Sequence, residues 1–217
     1  MIIITAADKR FSRIAESWKS KVQAHGYEYR IYDLGGLGYG IPGFAVPNSK
    51  LQMLGRYNDA DGAWASTGWH KPKIILDALE KTGDNILYLD ADAVPACRFS
   101  VDFTKWDVGV VKRESNNDIH KLPEKIARRG KYNAGVLFFT NNNLTRAFVK
   151  KWFEYMWSMP ESERNDQLAL NQCLDRIAVM VHVFGTEWNT NKKSKETIIY
   201  HESGRLKNGI AYRPKSY

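Results

Sequence analysis

The segment Ile86–Pro95 reads ILYLDADAVP. Ile86 to Leu89 form an apolar run without polar alternation, the pattern of a short strand buried on both faces. Such a strand delivers Asp90 and Asp92 at its carboxyl end, where open α/β sheets place their ligands. Two carboxylates one residue apart repel each other unless something positive faces both. A hard divalent cation is one solution, because Mg²⁺ and Mn²⁺ are held by a few carboxylates together with a substrate's phosphates. An Asx-rich turn closing an ordinary strand is the other, and this stretch alone supports the two equally.

Upstream, residues 1–6 are rich in Ile and read as another buried strand. Phe11, Ile14, Ala15, Trp18 and Val22 then recur at helical spacing, with Gly26 to close the helix, and Tyr27–Leu34 reads as a second strand. This β-α-β opening predicts an α/β fold. Thr5, Ala6 and Asp8 end the first strand, a place for a nucleotide base, although Asp8 serves equally well as a helix N-cap. Gly35–Gly68 is irregular and glycine-rich, with Tyr39, Phe44, Tyr57 and Trp64 along it and Trp69 just beyond. A loop this long suits a lid or a binding surface, and its aromatics suit stacking on a base or sugar as well as core anchoring. A helix follows from His70, with Ile74, Ile75, Ala78 and Leu79 inward. Lys71 and Lys73 stand at its start, where cations oppose the helix dipole; a phosphate partner or plain solvation accounts for them.

Downstream, Asp107–Lys112 and Gly135–Thr140 read as strands, separated by the polar segment Arg113–Lys131. Asn143 is placed to cap an amphipathic helix that Pro160 ends, and Asn165 and Asp166 open another with Leu168, Leu174 and Ile177 inward. Val179–Phe184 and Thr197–Tyr200 read as late strands, the second running into His201. No repeat or linker interrupts the chain, so residues 1–217 are expected to form one domain.

The net charge of +8 suits an anionic partner, whether nucleic acid, an acidic membrane surface or a phosphate-bearing substrate; a merely basic surface explains it as well. Cys97 and Cys173 are the only cysteines, and their spacing indicates neither a disulfide framework nor a metal site. The opening MIIITAAD is too short for a signal sequence. No run approaches the ~20 apolar residues that span a bilayer. The expectation is a soluble, cytoplasmic protein.

Four short motifs follow one another along the chain: Asp90-Ala91-Asp92, Asn133-Ala134-Gly135, Asn165-Asp166-Gln167 and His201-x-x-Gly204-x-x-Lys207. In that order they resemble the GT-A nucleotide-sugar glycosyltransferases, above all the glycogenin-like and bacterial lipopolysaccharide galactosyltransferase branch. The short chain also resembles compact virus-encoded members, which would place it in a host cytoplasm. The resemblance implies a GT-A (Rossmann-like) domain with a mixed, mostly parallel central sheet flanked by helices. It implies transfer of a sugar from a UDP-linked donor to a hydroxyl of a glycan or glycoprotein, with Mn²⁺ (or Mg²⁺) as cofactor.

Residue by residue, the resemblance makes Asp90, Asp92 and His201 the metal ligands, with Asp90 and Ala91 also at the donor. Gly204 and Lys207 would clasp the diphosphate, although Asn208 and Gly209 stand where the family has Pro-Trp. Thr5, Ala6 and Asp8 match the base-binding edge, and Asn133, Ala134 and Gly135 match the lining of the donor sugar. Lys71 and Lys73 occupy the region of a donor-binding cation. Asp166 and Gln167 match the catalytic positions. Gln167 beneath the anomeric carbon fits retention of configuration, which the glycogenin-like signature favours, whereas Asp166 as a base would fit inversion.

Two other classes compete. A haloacid-dehalogenase-like phosphatase also ends a strand in Asp-x-Asp, but near its N-terminus and with a late acidic pair, and it leaves the His201–Lys207 motif unexplained. A basic nucleic-acid-binding module suits the charge, but the basic clusters (Arg128, Arg129; Lys192, Lys193, Lys195) are short and no binding motif accompanies them.

Overall fold

The computed structural model describes residues 1–7, 12–33, 61–112, 130–160 and 165–201. Its elements in order are β1 (Ile2–Ala7), α1 (Ser12–Ala24), β2 (Tyr29–Asp33), α2 (Asp61–Thr82), β3 (Ile86–Leu89), β4 (Ala93–Pro95), β5 (Val108–Lys112), β6 (Tyr132–Phe139), α3 (Asn143–Ser158), α4 (Asp166–Arg176), β7 (Val181–Phe184), a 3₁₀ turn (Thr186–Trp188) and β8 (Ile199–His201).

Among the described residues, six strands form the main sheet in the order β2-β1-β3-β6-β5-β7. Parallel pairing joins β1 to both β2 and β3, and β5 to β7; β6 alone runs against its neighbours β3 and β5. The sheet is therefore mixed and mostly parallel, as expected. From β1 the chain moves outward to β2 and then returns to lay β3 on the other side. That reversal opens a crevice at the carboxyl ends of β1 and β3, the place where doubly wound sheets take ligands.

Alternate strand residues separate into two cores, which is why these strands read as unbroken apolar runs. Ile4, Ile86, Tyr88, Leu137 and Phe139 pack with Ile75 and Leu79 of α2, Phe148 and Trp152 of α3, and Leu170 of α4. Ile3, Leu87, Leu89, Val136 and Phe138 pack on the opposite face with Trp18 and Val22 of α1. The small β4–β8 sheet covers part of this second face through Ala93, Val94 and Ile199.

Several boundaries differ from the sequence reading. Helix α2 starts at Asp61, so residues 61–68 are helical and Pro72 lies well inside the helix. Lys71 and Lys73 are consequently mid-helix and buried, at 4% exposure each, and do not flank a helix start. Strand β6 takes in Tyr132–Ala134, because antiparallel pairing with β5 extends to Tyr132. The cap of α3 is Asn142, whose side chain accepts from the Thr145 amide. In α4 the fully buried apolar residues are Ala169, Leu170 and Cys173, whereas Leu174 and Ile177 are only partly covered. The aromatic loop over residues 34–60 and the polar segment 113–129 lie outside the described residues.

Candidate active site

Three backbone arrangements converge at the carboxyl end of β3. The Asp90 amide donates to the Gly135 carbonyl at 2.8 Å, continuing the β3–β6 ladder past its last pair, Leu89–Val136. Because β6 is reversed, its first residues, Asn133, Ala134 and Gly135, lie beside the end of β3. Antiparallel pairing of β4 with β8 then sets His201 opposite Ala93, next to Asp92. Residues more than a hundred positions apart meet for this reason alone.

The three candidate ligands do come together. One ligand atom from each of Asp90, Asp92 and His201 lies within 4.8 Å of the others. His201 Nε2 is 2.9 Å from Asp92 Oδ1, and its Nδ1 is 2.8 Å from Asn189 Oδ1. Burial works to lower the His201 pKa, but the hydrogen bond and charge of Asp92, with Asp90 behind it, raise it above the ordinary histidine value. Two carboxylates and an imidazole are a donor set that could hold a divalent cation. Gly135 leaves the space they need: a Cβ there would lie 2.8 Å from Asp90 Oδ2 and 3.1 Å from His201 Cε1.

Lys71 links this cluster to the start of α4. Its ammonium lies 3.0 Å from Asp90 Oδ1 and 2.6 Å from Asp166 Oδ2, and it donates to the Ala134 carbonyl at 2.9 Å. An ammonium has three N–H bonds, so these acceptors saturate it. The Tyr88 ring lies beneath, 5.0 Å from Nζ to its centroid. Burial opposes the charge, yet the Asp166 and Asp90 carboxylates hold the Lys71 pKa well above the ordinary lysine value.

The start of α4 is fixed by several bonds. Asn165 caps it through the Leu168 amide at 3.0 Å, and Trp152 Nε1 donates to the Asp166 carbonyl at 3.0 Å. Gln167 Oε1 accepts from the Ala134 amide at 3.4 Å. Asn171 completes the seam: its Oδ1 accepts from the Tyr132 amide, and its Nδ2 donates to the carbonyls of Tyr132 and Gln167. Asp166 and Gln167 therefore sit against Asn133–Gly135, close to Asp90.

Thr5 and Ala6 are buried at the end of β1, and Ala91 follows Asp90 in the turn after β3. Lys73 is two residues along α2 from Lys71, with its pKa pulled down to about 8 by burial. Asp8, Gly204 and Lys207 lie outside the described residues. Neither Asn189 nor Asn171 belongs to a motif with a spacing signal; only the folded contacts single them out.

Among the described residues, no helix is long and apolar enough to cross a membrane. A sequence profile described as nucleotide-diphospho-sugar transferase matches residues 43–196. Among solved structures, the fold is similar to a glycosyltransferase involved in the glycosylation of the major capsid of PBCV-1, at 14% identity and a TM-score of 0.63, over 95% of this chain and 94% of that one. It is similar to the galactosyltransferase LgtC, solved with donor and acceptor sugar analogs, at 16% identity and a TM-score of 0.56, over 94% and 88% of the two chains. The glycosyltransferase GlyE of Streptococcus pneumoniae TIGR4 is similar at 17% identity and a TM-score of 0.51, over 87% of this chain and 46% of that one. At such identities these likenesses are of fold. No curated protein sequence matches.

Proposed function

The chain belongs to the nucleotide-diphospho-sugar transferases, and from that premise we propose that it is a metal-dependent glycosyltransferase moving a sugar from a UDP-linked donor to a hydroxyl of a glycan or protein-linked glycan. The observation that carries the metal-dependent reading is the convergence of Asp90, Asp92 and His201 at the sheet's ligand crevice. These three would hold Mn²⁺ or Mg²⁺. When bound, such a cation offsets the charge that develops on a departing diphosphate.

The chain's own groups have separable tasks in this reading. Thr5, Ala6 and Asp8 would meet the base, and Ala91 and Asp90 the ribose and diphosphate. Gly204 and Lys207 would clasp the phosphates, a glycine allowing close backbone approach and an ammonium supplying charge. Asn133, Ala134 and Gly135 would line the sugar, with Asp166 holding its hydroxyls and Gln167 beneath the anomeric carbon. Lys71 acts through Asp90 and Asp166: it keeps two carboxylates near each other beside an anionic donor, and Lys73 adds to the basic character of the same helix. During transfer the bond from the anomeric carbon to the diphosphate oxygen breaks and a bond to the acceptor oxygen forms, while the acceptor hydroxyl's proton passes to the departing diphosphate.

Retention of configuration is the favoured outcome. Asp166 Oδ2 is engaged by Lys71 at 2.6 Å. To act as the base of an inverting reaction it would have to release that contact.

The test is a calorimetric screen of nucleotide sugars with Mn²⁺ present, followed by NMR of the product's anomeric proton. Asp92→Ala is expected to abolish UDP binding and Mn²⁺-dependent donor hydrolysis, and undiminished hydrolysis in that variant would refute the proposal. His201→Ala should weaken metal binding less completely, since two carboxylate ligands remain.

A further inference from the structure

We propose that Asn189 is a positioning residue that presets His201 as a metal ligand, its side-chain oxygen holding the proton on Nδ1 so that Nε2 is left for the cation. This rests on the cation site proposed for Asp90, Asp92 and His201. A neutral imidazole carries one proton, and its other nitrogen is the ligand; the hydrogen bond at one nitrogen decides which. Here both nitrogens face oxygens: Nδ1 faces Asn189 Oδ1 at 2.8 Å and Nε2 faces Asp92 Oδ1 at 2.9 Å. Asp92 on its own would draw the proton to Nε2 and so block the ligand atom. Asn189 supplies the competing acceptor.

The geometry is built into the backbone. Asn189 ends the 3₁₀ turn, its own amide donating to the Thr186 carbonyl at 3.0 Å. The segment carrying it is laced to the strand carrying His201: Ile198 N–H donates to Glu187 O at 2.9 Å, Thr190 N–H to Ile199 O at 3.3 Å, and His201 N–H to Thr190 O at 2.8 Å. The ring is held by its own strand on one side and by Asn189 on the other. Rotation of the ring away from Asp90 and Asp92 would break the Nδ1 contact.

Two variants test this. Asn189→Leu keeps the approximate volume and removes the acceptor; Asn189→Asp keeps the acceptor. By calorimetry, Asn189→Leu is expected to bind Mn²⁺ about 10–100-fold more weakly than the parent protein. Asn189→Asp should bind at least as tightly. In the metal-free protein, at alkaline pH where the ring is neutral, long-range ¹H–¹⁵N spectra should show the share of His201 protonated at Nδ1 rising from Asn189→Leu to the parent to Asn189→Asp. A purely structural role would not move this tautomer balance. Parental Mn²⁺ affinity and an unchanged tautomer balance in Asn189→Leu overturn the proposal; should that variant not fold, an Nδ1 share in folded Asn189→Asp no larger than the parent's overturns it instead. Absence of Mn²⁺ binding by the parent protein refutes the cation site itself, a failure told apart by the metal-free spectra, which read Asn189's hold on the ring with no ion present.

Discussion

Lys71 shows how a single side chain can tie a site together. It is 4% exposed and lies between Asp90 and Asp166. Removing one partner of a buried ion pair leaves charge uncompensated, which costs about 3–5 kcal/mol. Lys71→Met should therefore lose stability of that order in urea unfolding, and it should raise the donor KM as Asp90 and Asp166 move apart. Gly135 matters for the opposite reason, an absence of atoms. The Cβ of Gly135→Ala would press on Asp90 Oδ2 at 2.8 Å, so that variant should lose at least about tenfold in Mn²⁺ affinity by calorimetry, a loss of the size seen when a ligand's support is disturbed. Lys73 has a pH signature. Its folded pKa is pulled down to about 8, chiefly by burial, with Asp77 acting against the shift. Between that value and the ~10.4 of a lysine in an unfolded chain, the unfolded state binds the proton that the folded state has lost. Stability from this group should consequently rise with pH across that window, and thermal unfolding of Lys73→Met should show the rise flattened.

At the scale of elements, capping asparagines determine where the helices begin. Asn142 accepts from the Thr145 amide at 2.8 Å and donates to Asp107 Oδ1 at 2.8 Å, while Asp107 Oδ2 accepts from the Met180 amide at 2.8 Å. One cap thus ties the start of α3 to the start of β5 and the approach to β7. Asn142→Ala should cost about 1–2 kcal/mol in urea unfolding and leave donor affinity unchanged. Asn165→Ala should cost a similar amount, but it should also raise the donor KM, because the helix start it caps presents Asp166 and Gln167. The sequence located most elements through periodicity, and it placed Asn165 and Pro160 at helix ends. It misplaced the start of α2. A proline inside a helix reads as a boundary, but its cost falls only on one turn, and Ile74, Ile75, Ala78 and Leu79 bury enough apolar surface to carry the helix through it. The inward face of α4 was also shifted: Leu170, four residues before Leu174, takes the buried position, while Leu168 is only partly covered.

For the whole molecule, the reading as a transferase predicts how metal and charge behave. Mn²⁺ with UDP should raise the melting temperature and a chelator should reverse it, since a ligand at about 100 times its Kd adds ~2.7 kcal/mol to the folded state. The +8 charge should serve an anionic donor and not a polynucleotide, so DNA and RNA should fail to bind at moderate salt, where a binding module would show a steep salt slope. The sequence by itself determined the fold class and the family, because a buried strand ending in acids and an ordered series of short motifs are local patterns that survive in one dimension. It determined the identity of the candidate ligands Asp90, Asp92 and His201 in the same way. The tertiary structure alone decided what surrounds them: the reversal of β6 that brings Gly135 to Asp90, the burial of Lys71 between Asp90 and Asp166, and the turn that sets Asn189 against His201. Those contacts join residues far apart in the chain, and no spacing rule encodes them. They arise from strand pairing and helix packing, which fix distances only once the whole sheet has formed.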